Sequence, residues 1–466
     1  MKLVRQLSFV GVLALPVALM APSAGMGLNT PFVAMSAGAG VPFIYVLSTL
    51  GIACVGAGFY RLSRRFNDAG SVYGLTKASV GPTYGFIAGW ALAFVYVLFI
   101  GALLAGFATF ADALILAWTG VQLAWPIMFL IGGAGVWVFA YRKITLSTKV
   151  FLILEGISIL LMLGISLLII LKGGAHGDSV SWKPLTPSGV AAGGMGGALV
   201  FGFLTYIGFE GSAVLGEESK RPQLYVPLSL AAAVLLAGSI FIFVSYAQTV
   251  GFGVDAEGMK AFASSATPNS DLAKMYIGDW ALQASNIGAV LSTFACALAS
   301  ASGASRVIFS LARDARISTR YSAVHPVHES PHKALTISMI LGLISALLFY
   351  PFTDSPSNVY GWMGALATLG VIIAYGMTSV ASVIFFWKED IAKHHYFQAI
   401  PAIVGLLLLG YTFKAQIVPV PGAPLNYWPY VVLVYMLIGV GILVSQRELK
   451  ISKTAAYDSL TDSSKE

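Results

Sequence analysis

The chain carries little charge for its length. Asp, Glu, Lys and Arg make up 10% of its 466 residues, against roughly 25% in a soluble globular domain. That scarcity excludes an ordinary water-soluble protein of this size. Cysteine is scarce too. Cys54 and Cys296 are the only two, each inside an apolar block, so no disulfide framework exists and both read as small hydrophobes. No lysine follows a glycine, which excludes a phosphate-cradling P-loop and with it ATP-driven work by this polypeptide. No G-x-S-x-G occurs, so the serine-hydrolase elbow is missing. The longest polar connectors on the face expected to be cytoplasmic, 306–332 and 446–466, are too short to form a soluble domain. One stretch, His328-Glu329-Ser330-Pro331-His332, spells the zinc-hydrolase H-E-x-x-H. That chemistry needs both histidines one turn apart on a helix, and Pro331 inside the motif opposes the helix. No enzyme, metal or cofactor is expected.

What is present is apolar sequence. Hydrophobic residues are 57% of the chain, gathered in blocks of about 20, the length that crosses a bilayer as a helix. Lipid offers no partner to backbone amides, so a spanning segment is a helix or part of a closed barrel, and these blocks lack strand-like alternation. The reading is an all-α membrane protein with twelve spans at about 8–38, 41–62, 83–110, 123–141, 148–171, 190–217, 225–250, 281–306, 333–351, 359–387, 396–414 and 428–446. Met1–Gln6 is basic and Leu7–Met20 apolar, as in a secretory leader. Apolar sequence resumes almost at once, so a retained first span is expected. The polar stretch Asp255–Asp279 reads as a loop with short amphipathic pieces lying across one mouth.

Basic residues set the orientation. With the N-terminus inside, 22 of the 27 Lys and Arg fall on one face, and only Lys172, Lys183, Lys260, Lys274 and Lys414 on the other. That asymmetry follows the positive-inside rule, with both termini cytoplasmic in a multi-pass protein of the cell membrane. It also accounts for the net charge of +7 without a nucleic-acid partner.

Two spans contain breaks. In the first, Pro16 and Pro22 remove helix donors, and Gly25 and Gly27 free the backbone around Ala21-Pro22-Ser23-Ala24-Gly25-Met26-Gly27. In the sixth, Gly208 and Gly211 bracket Phe209 and Glu210 at membrane depth. Broken helices are tolerated in a membrane where they line a cavity or meet a ligand. Breaks at matching positions of two halves point to a transporter site.

At this point the sequence resembles the amino acid–polyamine–organocation superfamily, with its leucine-transporter-like fold. The resemblance rests on Gly58-Phe59-Tyr60-Arg61-Leu62-Ser63-Arg64-Arg65 with Asp68-Ala69-Gly70-Ser71-Val72-Tyr73, on Gly208-Phe209-Glu210-Gly211 leading to Glu217-Glu218-Ser219-Lys220-Arg221-Pro222, on Ser305-Arg306 through Arg313-Asp314, and on His325-Pro326 through Pro331-His332. It implies a 5+5 inverted repeat with broken helices one and six plus two extra helices. The chain would be one transporter domain: 1–171 as the first repeat, 190–387 as the second, 396–446 as two added helices and 447–466 as a cytoplasmic tail. It implies a substrate held at the two breaks, its carboxylate on the amides of Ser23, Ala24, Gly25 and Met26 and its amino group on carbonyls of Ala21 or Pro22 and of Tyr206, Ile207 and Phe209. A half-helix that starts after a break presents free N–H groups to an anion, which agrees with that placement. The sequence departs from the family's more usual Gly-Ser/Ala-Gly at the first break.

Ionisable residues within spans are functional suspects. Glu210 would brace the break, carry a proton or touch substrate. Glu155, in the fifth span, aligns approximately with a lysine that some family members use in place of sodium. A carboxylate taken out of water can carry a proton, so Glu155 is a candidate for proton coupling. Sodium coupling would instead use the hydroxyls of Ser300 and Ser302 with carbonyls of span one. Glu217 and Glu218, facing Lys220, Arg221, Arg61, Arg64 and Arg65, would make a cytoplasmic gate. The function expected is secondary transport of amino acids or related small amines by alternating access, as proton symport or exchange. The alternatives are a sodium symporter of the same fold, a polyamine or organocation transporter, or a passive channel or facilitator. The partners are the small-molecule substrate, the coupling ion and the lipid bilayer.

Overall fold

A computed structural model of the chain describes residues 5–66, 70–142, 144–175, 181–392 and 396–462. Met1–Val4, Asp68 and Ala69 of the second motif, and the last four residues of the tail lie outside them. The first span is three pieces, α1 (Phe9–Met20), α2 (Pro22–Leu28) and α3 (Thr30–Ala37). Next come α4 (Val41–Ser63), α5 (Val72–Val80), α6 (Pro82–Thr119), α7 (Trp125–Ala140) and α8 (Ile144–Leu171). The sixth span is α9 (Met195–Leu204) and α10 (Gly211–Val214), joined by the turn segment 205–210. Then come α11 (Pro222–Phe252), α12 (Ala256–Ser264), α13 (Pro268–Tyr276), α14 (Asp279–Arg313), α15 (His332–Leu347), α16 (Pro356–Ala392), α17 (Ile400–Ala415) and α18 (Trp428–Asp462).

Ten helical stretches are long and apolar enough to cross a membrane, and the described residues also include two shorter apolar helices, α7 and α9. Helix ends follow local chemistry. α6 opens on Pro82, whose missing N–H costs nothing in a first turn, and closes on Gly120 in the left-handed conformation. Its 38 residues make it about 57 Å long, more than the hydrocarbon thickness, so it reaches beyond it at one end or lies tilted.

Layering is inverted relative to a soluble protein. Most of the first broken span, α6 and α14 is buried, at 78%, 83% and 78% of their apolar windows, whereas α18 shows only 17% and α15 and α17 28% each. The rim helices turn Leu, Ile, Val and Phe outward, an apolar surface of the extent that marks membrane contact. The centre holds the polar groups, among them Glu155, Glu210, Asn29, Gln248 and a column of serines on α14.

The polar stretch after α11 folds as α12 and α13. Asp255 caps α12 by accepting from the Gly258 amide at 2.7 Å, and α13 packs on α8 and α14. The H-E-x-x-H letters do not form a helix. Pro326–His328 form a turn, Glu329 sits at φ 54°, and α15 begins at His332, because Pro331 can only open a helix there.

Candidate functional site

The first break is sharper than the Pro and Gly pattern suggested. It is the single residue Ala21, at φ 41° and ψ 70°. A left-handed alanine costs roughly 1–2 kcal/mol. Pro22 then restarts the helix with φ already set for a first turn. Ser23, Ala24, Gly25, Met26 and Gly27 are therefore helical and buried, and the free amides lie only in the first turn of α2. Gly25 N–H already donates to Ala21 O at 2.7 Å.

The second break abuts the first. Gly208 sits at φ 99°, and a Cβ there would lie 2.3 Å from Leu19 Cβ; a Cβ on Gly25 would lie 2.8 Å from Thr205 Cγ2. Only glycine permits both that backbone and that approach at 208. Tyr206, Ile207 and Phe209 are buried around this crossing. The Tyr206 hydroxyl pairs with Thr49 Oγ1 at 2.5 Å. The Phe209 ring packs edge-on to Phe59 and Tyr375, at 5.3 and 5.1 Å between centroids.

Glu210 is fully buried and both its oxygens are engaged. Tyr96 OH donates to Oε1 at 2.5 Å, and Tyr375 OH donates to Oε2. Tyr375 OH in turn accepts from the Gly208 amide at 3.1 Å. The carboxylate thus ties α6, α16 and the 205–210 turn together.

Glu155 reaches the first break through a serine that the sequence reasoning did not single out. Ser292 Oγ accepts from the Ala24 amide at 3.1 Å and donates to Glu155 Oε1 at 3.0 Å. Glu155 Oε2 has no protein partner, and no ion pair holds the residue among the described ones. Ser292, Cys296 and Ser300 recur every four residues, so they share one face of α14. Cys296 Sγ donates to Leu19 O at 3.0 Å, just before the break. Ser300 and Ser302 lie two turns or more beyond Ser292, about 12–15 Å along the helix. Ser302 O accepts from Arg306 Nη1 at 2.9 Å. Ser292 supplies a hydroxyl at the break. The spacing of the serine stripe was the available signal for it.

Polar contacts lie on either side of the two breaks. On the side away from the termini, Asn29 Nδ2 donates to Thr205 Oγ1 at 2.9 Å, Tyr360 OH donates to Asn29 Oδ1 at 2.8 Å, and Gln248 Nε2 donates to Met26 O at 2.7 Å. On the side of the termini, Glu218 pairs with Arg306 and Glu217 with Arg313, at 2.7 and 2.8 Å. The sequence places these acids on one face with Lys220, Arg221, Arg61, Arg64 and Arg65, and α14 supplies an arginine to each. The N-terminal residues are fastened to the same corner. Gln6 and Leu7 amides donate to Glu218 O, and the Lys220 amide donates to Leu7 O, all at 2.9–3.0 Å.

Known proteins are similar to this chain in sequence. The family model described as amino acid permease matches residues 7–442. The branched-chain amino acid permease BcaP of Bacillus subtilis (strain 168) is 26% identical over 445 residues, covering 90% of this chain and 89% of that protein. The methylthioribose transporter of the same organism is 24% identical over 390 residues, 80% of each chain. The low-affinity putrescine importer PlaP of Escherichia coli (strain K12) is 24% identical over 382 residues, 79% of each.

Proposed function

The chain belongs to the amino acid permease family, whose members are membrane transporters rather than enzymes, and on that premise we propose that it carries neutral amino acids or related small amines across the cell membrane with protons. The proposed architecture is twelve spans, the first ten as two inverted five-helix halves, with both termini in the cytoplasm. Substrate sits where the two breaks cross, between α2 and the 205–210 turn. Alternating access opens one closed end at a time. The Arg306–Glu218 and Arg313–Glu217 pairs form the cytoplasmic gate.

The observation that carries the coupling is the Ser292 link between the Ala24 amide and Glu155. The amides suited to a substrate carboxylate already face a serine hydroxyl and a protein carboxylate. A substrate carboxylate arriving at Ala24 must share or displace Ser292. A proton on the free Oε2 of Glu155 removes the charge that would repel it. Substrate and proton then bind together, which is symport.

Glu210 favours a neutral amino acid over a polyamine. Both its oxygens are held by tyrosines, so it is not free to take a second ammonium group. The apolar rings of Tyr206 and Phe209 favour an aliphatic side chain. The test is thermal stabilisation of the purified protein by leucine, isoleucine, valine, putrescine and methylthioribose, since a ligand of the folded state raises its melting point. Stabilisation by the branched-chain amino acids supports the reading. Stabilisation by putrescine or methylthioribose alone overturns it.

A further inference from the structure

We propose that the cleft between the end of α7, the turn Thr319–Ser322 and the start of α15 binds an anionic phospholipid from the leaflet on the side of the termini, with its phosphate on Arg320 and Lys333 and an acyl chain on Trp137, Ile337 and Ile340. The site is independent of which substrate the chain carries.

The cleft is open, measures ≈500 Å³ and has a mainly apolar wall with a cationic rim. Its two halves lie at different depths. Lys333, Ile337 and Ile340 recur at helical spacing and share one face of α15. Ile340 is about 10 Å further along the helix than Lys333. Ile340 is 46% exposed and Trp137 39%, and α15 is one of the rim helices that turn apolar side chains outward. Trp137 Nε1 donates to Thr336 Oγ1 at 3.2 Å, which joins α7 to α15 in the wall of the cleft. At the rim, Arg320 Nη2 donates to Tyr321 OH at 2.5 Å, and the guanidinium lies 4.7 Å from the centre of that ring. Trp137, Tyr141 and Tyr321 all line the cleft, and aromatic side chains of this kind gather at the level of the lipid head groups.

The positive charge of this rim is not offset by the protein. Among the described residues neither Arg320 nor Lys333 makes an ion pair, and three acids of the same face, Glu217, Glu218 and Asp314, are taken by Arg313, Arg306 and Lys77. His332 and Lys333 are the first two residues of α15, whose first turn holds no acid and has no side-chain cap. A helix N-terminus already favours an anion, so the two cations beside it raise the potential further. A phosphate suits all three features. It accepts from an arginine fork, meets a lysine as a point charge and can take free amides of a first turn. Basic clefts between spanning helices bind anionic head groups in this way. A soluble anion would use the rim and leave Trp137, Ile337 and Ile340 uncovered. An acyl chain covers them, so a lipid fits both halves.

Binding is read from the thermal midpoint of the purified full chain in detergent, which a ligand of the folded state raises. Phosphatidylglycerol should raise it saturably, and phosphatidylcholine with the same chains should not. Arg320→Gln/Lys333→Gln should keep the wild-type midpoint without lipid, which shows that it is folded, and should need about thirtyfold more phosphatidylglycerol for the same rise. Ile340→Ser, which leaves both cations in place, should weaken the response as well. Lys220→Gln/Arg221→Gln removes two exposed charges of the same face outside the cleft and should respond as wild type. An equal response to phosphatidylcholine overturns the proposal, because the head-group charge is then not read. A wild-type response in Arg320→Gln/Lys333→Gln, or an equal loss in Lys220→Gln/Arg221→Gln, overturns the site. A wild-type response in Ile340→Ser means that no chain lies in the cleft and overturns it too. Inorganic phosphate that raises the midpoint as far as phosphatidylglycerol assigns the rim to a soluble anion, against the lipid.

Discussion

Arg306 and Glu218 are joined at two points inside the protein, Nε to Oε2 at 2.7 Å and Nη2 to Oε1 at 3.0 Å, with both side chains almost wholly buried. The same Glu218 accepts from the Gln6 and Leu7 amides through its backbone carbonyl. One residue therefore links the end of span six, α14 and the segment leading into α1. Removing one partner leaves an uncompensated buried charge, at ~3–5 kcal/mol. Glu218→Ala should lower the thermal midpoint of the purified protein sharply. Arg306→Met with Glu218→Leu, which removes both charges and keeps the volume, should recover most of that loss.

Gly208 is the most sensitive single position in the second break. Its φ of 99° and the 2.3 Å approach to Leu19 leave no room for a side chain. Gly208→Ala should abolish transport in vesicles, because the turn must shift away from α1. Gly288→Ala, whose added Cβ would meet its neighbours only at ordinary contact distances, should transport by counterflow at the wild-type rate.

The tyrosines around Glu210 should differ in weight. Tyr96→Phe removes one hydrogen bond to the carboxylate, a loss of about 1.5–3 kcal/mol for a charged acceptor. Tyr375→Phe removes such a bond and also the acceptor of the Gly208 amide. Tyr375→Phe should therefore lower the thermal midpoint and raise the KM more than Tyr96→Phe. Equal effects would mean that the Gly208 contact contributes nothing.

At the aqueous end of α14, partial burial opposes ionisation of Asp314. Hydrogen bonds from Lys77 and Tyr73 and the charges of Lys77 and Arg313 outweigh it and hold the carboxyl below its usual range. A folded-state value below the unfolded one contributes stability that is present above the unfolded value and lost as pH falls through the folded one. Asp314→Asn should lower the melting temperature at neutral pH and flatten its decline in acid. Both proteins should converge at the lowest pH.

The membrane class and the two breaks were legible because prolines, glycines and a buried acid stand out against apolar sequence. The residue at the first break was not, since Ala21 carries no compositional mark; Pro22 after it, which restricts the residue before a proline, was the only hint. Ser292 was hidden for a related reason: serines in spans usually bond their own helix, so the stripe with Cys296 and Ser300 had to be read as a face. The partners of Glu217 and Glu218 sit roughly ninety residues away on α14, a distance no local pattern spans. The burial of Glu210 at the break was readable, whereas its two tyrosines depend on how α6 and α16 cross the turn.

The central claim is that a proton on Glu155 drives accumulation through the Ser292–Ala24 link. Labelled leucine uptake into vesicles under an imposed inward proton gradient, comparing wild type with Glu155→Gln, tests it most directly. The account predicts protonophore-sensitive accumulation by the wild type, and a variant that equilibrates and exchanges leucine without accumulating it. Wild-type accumulation by Glu155→Gln under the same gradient would contradict it.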